Sequence, residues 1–161
     1  MNFYSDLALL LAFVFAQEAA IYRLRFGPAR LDFVFILILS WSFAKGGNAA
    51  LAWAFSAGLL MDLISGGPVG PFTISLPAVA FLATFIYEHI YPSNPFVSFP
   101  IALLLFILYD LLKVAILSFI GYNFIKAESI ALITLPSALL NAAVAVPACL
   151  FLSKLYRQGE A

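Results

Sequence analysis

Six apolar stretches divide the chain, at about residues 3–22, 31–44, 49–64, 72–90, 96–120 and 129–155. Within them the apolar positions follow a helical period or run without interruption. None alternates over the ~10 residues that a strand of a transmembrane barrel needs. The pattern predicts six helices. Turn signals separate them: the basic connection Arg23, Arg25, Gly27, Pro28, Arg30; then Lys45-Gly46-Gly47-Asn48; then the uncharged Ser65-Gly66-Gly67-Pro68-Val69-Gly70-Pro71; then Tyr91-Pro92-Ser93-Asn94-Pro95; and a link over residues 121–128. The second stretch has only 14 residues. At 1.5 Å per residue it covers ~21 Å, less than the ~30 Å hydrocarbon core. Flanking residues are expected to extend it, or the bilayer to thin around it.

Composition turns helices into spans. Of the 161 residues, 65% are hydrophobic and 10% charged, and mean hydropathy is +1.07. Soluble domains run near ~45–50% apolar and ~25% charged. Eight basic and eight acidic side chains cannot cover a water-soluble surface. A soluble enzyme, a nucleic-acid binder and a disordered chain are excluded. The expected fold class is an all-α polytopic membrane protein with six transmembrane helices in one bundle, a single domain over residues 1–161. The N-terminus has no basic n-region, so the first stretch is expected to be kept as a helix rather than cleaved.

Charge bias leaves orientation open. With six spans, Lys45, Lys154 and Arg157 share the side of both termini; Arg23, Arg25, Arg30 and Lys126 lie opposite. Three against four does not set a topology.

Ionisable residues inside spans are informative because each costs ~2.5–3.5 kcal/mol on insertion scales. They are Glu18, Asp62, Glu88, His89, Asp110 and Lys113, joined by the amides Gln17 and Asn141. Asp110 and Lys113 stand at i and i+3, on one helix face. They are expected to neutralise each other, with a partner or ion site as the alternative. Ala50, Ala54, Gly58, Asp62 and Gly66 recur every four residues, a small-residue ridge of the kind that lets helices pack closely in lipid. The ridge serves internal packing or receives a partner helix; spacing alone leaves both open. Asp62 is expected to accept hydrogen bonds from backbone N–H groups of the 65–70 turn, since non-helical backbone at membrane depth must be satisfied internally. A ligand site at a broken helix is the alternative.

Gln17 and Glu18 are expected to reach the interface, His89 to be interfacial, and most Tyr and Trp residues, Tyr109 and Trp41 included, to form aromatic belts. The lone His and the single cysteine, Cys149, make no metal set. Ser75, Ser118 and Ser137 have no local base and no nucleophile-elbow pattern, and no Gly-rich phosphate loop occurs. No catalytic residue and no cofactor is expected.

One segment is specific: Gly58-Leu59-Leu60-Met61-Asp62-Leu63-Ile64-Ser65-Gly66-Gly67-Pro68-Val69-Gly70. It resembles the central motif of the rod shape-determining protein MreD family. Further likenesses are a short second span entered from Arg30-Leu31-Asp32, Asp110 within Leu108-Tyr109-Asp110-Leu111-Leu112, and the last span with Pro136-Ser137-Ala138-Leu139-Leu140-Asn141 and Pro147. Pro68 and Pro71 make this turn stiffer than the family's usual one. The resemblance implies a non-enzymatic scaffold of the bacterial elongation machinery, multi-pass in the inner membrane with both termini cytoplasmic. It implies binding to MreC, a single-span protein, and a link between MreB filaments and the synthases RodA and penicillin-binding protein 2. It implies a fold like the substrate-binding subunits of energy-coupling-factor transporters. The residues expected to carry partner binding or the structural motif are Gly58, Asp62, Ser65, Gly66, Gly70, Asp110 and Asn141. A small-molecule transporter subunit, with polar residues lining a cavity, is the competing reading. Apart from protein partners, membrane lipid is the expected contact, and nucleic acid is not.

Overall fold

A computed structural model describes residues 3–23, 25–27, 29–45, 47–90, 95–122 and 127–158. They form six helices and one small hairpin: α1 (Phe3–Arg23), β1 (Arg25–Phe26), β2 (Ala29–Arg30), α2 (Phe33–Lys45), α3 (Gly47–Ser65), α4 (Pro71–Ile90), α5 (Pro95–Phe119) and α6 (Ala127–Gln158). Of the expected breaks, the turn at 45–48 includes Gly46, that at 91–95 includes residues 91–94, and the link at 121–128 includes 123–126. Those positions, and 159–161 of the polar tail, lie outside the described residues.

Among the described residues, three helices are long and apolar enough to cross a bilayer, over Pro71–His89, Phe96–Phe119 and Leu132–Leu152. Shorter apolar segments occur at Leu7–Ala19, Phe33–Phe43 and Ala49–Ser65. The outer surface is apolar: Phe55 and Leu63 on α3, Phe81 on α4, Leu104 on α5, and Leu132 and Phe151 on α6 are all more than half exposed. In water such a surface would aggregate; in lipid it is the solvated face. Pro77, Pro100, Pro136 and Pro147 lie inside helices that continue through them. Membrane helices tolerate this because neighbouring groups re-satisfy the freed carbonyls.

At the centre is α2. Every residue from 34 to 43 is buried, enclosed by α1, α3, α4 and α6, with Phe35 reaching α5 through edge contact with Phe106 and a tilted contact with Tyr109. A helix apolar on all sides belongs inside a bundle. Its 13 residues are about 20 Å long. Neither extension nor bilayer thinning is needed, because protein, not lipid, surrounds it. The basic connection before it is partly a hairpin, pairing Arg25 with Arg30 and Phe26 with Ala29, and its second strand packs on α6.

Trp41 and Tyr109 are not belt residues. Trp41 is buried and stacks on Trp53 at 5.2 Å between centroids, and Tyr109 is fully buried. Their positions mid-helix on core-facing sides outweigh their amphipathic chemistry.

Candidate functional site

The small-residue ridge of α3 faces α4, its most extensive partner. Ala50, Ala54, Gly58 and Asp62 are buried, while Gly66 lies past the helix end and is exposed. A Cβ on Gly58 would stand 2.5 Å from the carbonyl oxygen of Phe72 and 2.8 Å from the Thr73 Cα. Only hydrogen fits there, and the absence of a side chain lets the first turn of α4 lie directly on α3.

That close approach brings Asp62 under the N-terminus of α4. The first turn of a helix has N–H groups with no intrahelical acceptor. Asp62, 1% exposed, accepts from the N–H of Gly70 at 2.8 Å, Phe72 at 3.0 Å and Thr73 at 2.9 Å. The Thr73 hydroxyl also donates to it. The acceptor role was expected for the turn; most donors instead come from α4 itself. A charged cap on four donors also meets the helix dipole favourably. Gly66 at φ +66° and Gly70 at φ +136° give the chain its reversal, in a region that side-chain-bearing residues rarely adopt. Ser65 closes the α3 end by donating to the Asp62 carbonyl at 3.2 Å.

A second node holds the start of α2. Asp32 precedes the helix and accepts from the Phe35 N–H at 2.9 Å, a standard N-cap. Asn141, fully buried on α6, accepts from the Asp32 N–H and donates to the carbonyl of Arg30, both at 2.7 Å. It also donates to the Ser137 carbonyl at 2.8 Å. Ser137 accepts from the Arg30 N–H at 2.9 Å. From α1, Gln17 accepts from the Phe33 N–H at 2.7 Å, and its amide nitrogen lies 3.5 Å from the Leu31 carbonyl. Tyr109 on α5 donates its hydroxyl to Asp32 at 3.0 Å. So α1 and α6 together satisfy the irregular backbone of residues 30–33, and α5 holds the capping carboxylate of Asp32. Gln17 is buried rather than interfacial, because Leu31 and Phe33 offer it backbone partners inside.

Asp110 and Lys113 form the third group. Lys113 Nζ is 3.1 Å from Asp110, and both are partly buried. The ammonium also lies 4.1 Å from the Tyr109 ring centroid and 5.3 Å from that of Phe72. Thr134 on α6 donates to Asp110. Tyr109 thus connects two nodes, with its hydroxyl on Asp32 and its face against Lys113. The seven expected site residues therefore divide: Gly58, Asp62, Ser65, Gly66 and Gly70 meet at the α3–α4 turn, Asn141 sits at the α2 entry, and Asp110 lies at the α5–α6 seam.

Sequence reasoning set Gln17 at the interface and Tyr109 in an aromatic belt, named Asp32 only as part of a family likeness, and passed over Thr73 and Thr134. A signal existed for Asp32: an Asp three residues before Phe35 at the head of an apolar run has N-cap spacing. His89 is exposed, with its ring 4.2 Å from that of Phe85. Among the described residues no His, Cys, Asp and Glu side chains gather as a metal-binding set. Cys149 is buried and free, 3.4 Å from the Ser40 hydroxyl.

A protein-family model, rod shape-determining protein MreD, matches residues 3–159 of the chain. No curated protein and no solved structure gives a significant match.

Proposed function

The chain belongs to the MreD family, and from that premise we propose that it is a non-enzymatic membrane scaffold that docks the transmembrane helix of MreC. Family membership gives a role in determining rod shape and a place in a membrane. The finer reading is that six helices cross the inner membrane with both termini cytoplasmic. The molecule then passes a shape signal between MreB filaments and the synthases RodA and penicillin-binding protein 2. A likeness to energy-coupling-factor substrate-binding subunits belongs to the same proposal.

One observation carries the scaffold reading. The buried carboxylates and amides spend their hydrogen-bonding capacity on the protein's own backbone: Asp62 on α4, and Asp32, Asn141 and Gln17 on residues 30–35. Such groups brace a rigid bundle and leave an apolar outer face for recognition by packing. The seven motif residues are read as bracing that face, not as contacting the partner through the buried ridge.

Co-purification tests the proposal. Solubilised in mild detergent from its own membranes, the protein should carry a stoichiometric single-span partner. Recovery without any such partner, together with a retained vitamin-like ligand, would replace the scaffold by a transporter subunit.

A further inference from the structure

Arg30 combines two properties that rarely coincide. Its backbone is clamped to α6, its N–H donating to Ser137 at 2.9 Å and its carbonyl accepting from Asn141 at 2.7 Å. Its side chain is exposed, and among the described residues it has no ion-pair partner. The clamp sets its depth. Ser137 and Asn141 stand five and nine residues inside the apolar segment Leu132–Leu152, about 7 and 13 Å from its start at 1.5 Å per residue. Asp110 acts on the Arg30 guanidinium only at a distance and is already paired with Lys113, so two cations around one carboxylate leave a positive charge uncompensated, which is costly at such depth unless the headgroup layer meets it.

We propose that Arg30, seconded by Lys113, seats the phosphate of an anionic phospholipid drawn into the seam between the hairpin, α5 and α6. Three features favour a phosphate. The arginine fork matches phosphate oxygens in a bidentate way that a point charge cannot. The side chain is long enough to carry its charged head toward the headgroup layer while its backbone stays clamped. Lys113, 15% exposed on the neighbouring helix, is a second cation beside Asp110, and Arg30 is near enough for its charge to act on the same carboxylate. The bilayer supplies the occupant at high local concentration. The inference needs α6 to cross the membrane and is independent of the partner reading.

The clamp uses only backbone atoms of Arg30, so the side chain is separable from the fold. Arg30→Gln should leave the detergent-solubilised protein monodisperse with an unchanged melting temperature in the absence of lipid. Native mass spectrometry with added phosphatidylglycerol should find a lipid on the wild type and about tenfold weaker retention on Arg30→Gln, a loss of one charge-assisted contact. Arg30→Lys, which keeps charge without the fork, should fall between. Diacylglycerol of the same acyl chains should be retained poorly by all three, and inorganic phosphate should not displace the phospholipid. If Arg30→Gln fails to fold, Arg30→Lys and the wild-type comparison of phosphatidylglycerol with diacylglycerol decide the matter. Equal retention of the two lipids, equal phosphatidylglycerol binding by wild type and a folded Arg30→Gln or Arg30→Lys, or displacement by millimolar phosphate would each overturn the proposal. So would a folded Arg30→Gln variant that loses MreC while its lipid retention stays unchanged.

Discussion

Asp62 and Thr73 are joined twice: the Thr73 N–H and its hydroxyl both donate to the same carboxylate oxygen. This pairing fixes where α4 begins and how it leans on α3. Both carboxylate oxygens accept, one from Phe72 and the other from Gly70 and Thr73.

Replacing the carboxylate should therefore be graded by acceptor count. Asp62→Leu leaves every one of those donors unpaired, at about 1–3 kcal/mol each for a buried group. Asp62→Asn keeps one oxygen but turns an amide N–H₂ toward backbone N–H groups, so it should also lower stability, by less. Folded yield and melting temperature in detergent rank the two against wild type. An Asp62→Leu protein as stable as wild type would rule out the cap.

Gly58 gives a prediction of a different kind, since the obstacle is backbone rather than a movable side chain. With the Phe72 carbonyl 2.5 Å from an added Cβ, Gly58→Ala must push α4 away from α3. The cap on Asp62 should weaken with it, so the losses from Gly58→Ala and Asp62→Asn should not add. Gly67→Ala is the control: its nearest neighbour is the Ser65 hydroxyl at 3.7 Å, and its melting temperature should stay within error of wild type. Comparable losses at both glycines would mean that close helix approach is not what Gly58 provides.

These nodes were unequally legible in the sequence. The α3–α4 turn could be read because its signals are local: a ridge every four residues, an aspartate, then glycines and prolines within nine positions. Asp110 and Lys113 were likewise paired by helix spacing alone. The α2 entry was not readable as a unit. Asn141 stands 109 residues from Asp32 and 111 from Arg30, and its partners are backbone groups, which every residue type carries equally. Tyr109 looked interfacial because a tyrosine in a membrane helix usually is; its phenol is instead held inside by Asp32. The six apolar runs announced six helices, but nothing in their composition said that the second would be enclosed by the others.

The Tyr109 hydroxyl should matter through Asp32 and nothing else. Tyr109→Phe keeps the ring against Phe35 and Phe106 and removes only the bond to the carboxylate. A hydrogen bond to a charged group contributes about 1.5–3 kcal/mol, so the variant should melt measurably lower. In an Asp32→Asn background the same substitution should cost less, because the charged acceptor is gone. Double-mutant melting curves read the coupling directly. An equal loss in both backgrounds would place the role of Tyr109 in ring packing.

Orientation can be tested without disturbing any of these nodes. The family reading puts both termini in the cytoplasm, which places the α3–α4 turn on the far side of the membrane and the end of α4 on the near side. Cys149→Ser removes the single cysteine with a small change of volume at a buried position. Gly67→Cys then reports on the turn, where the residue is exposed and its backbone lies outside the left-handed region. Glu88→Cys reports on the other end of α4, also exposed. A membrane-impermeant maleimide added to intact cells that lack an outer-membrane barrier should label the first and spare the second until the membrane is opened. The positive-inside rule makes the outcome informative, because Arg23, Arg25, Arg30 and Lys126 then stand outside against Lys45, Lys154 and Arg157 inside. That arrangement is acceptable if some of the outer charge serves another purpose, as Arg30 would with a lipid phosphate. Labelling at residue 88 with protection at residue 67 would invert the topology, and the arginine-rich hairpin would then face the cytoplasm and its anionic leaflet.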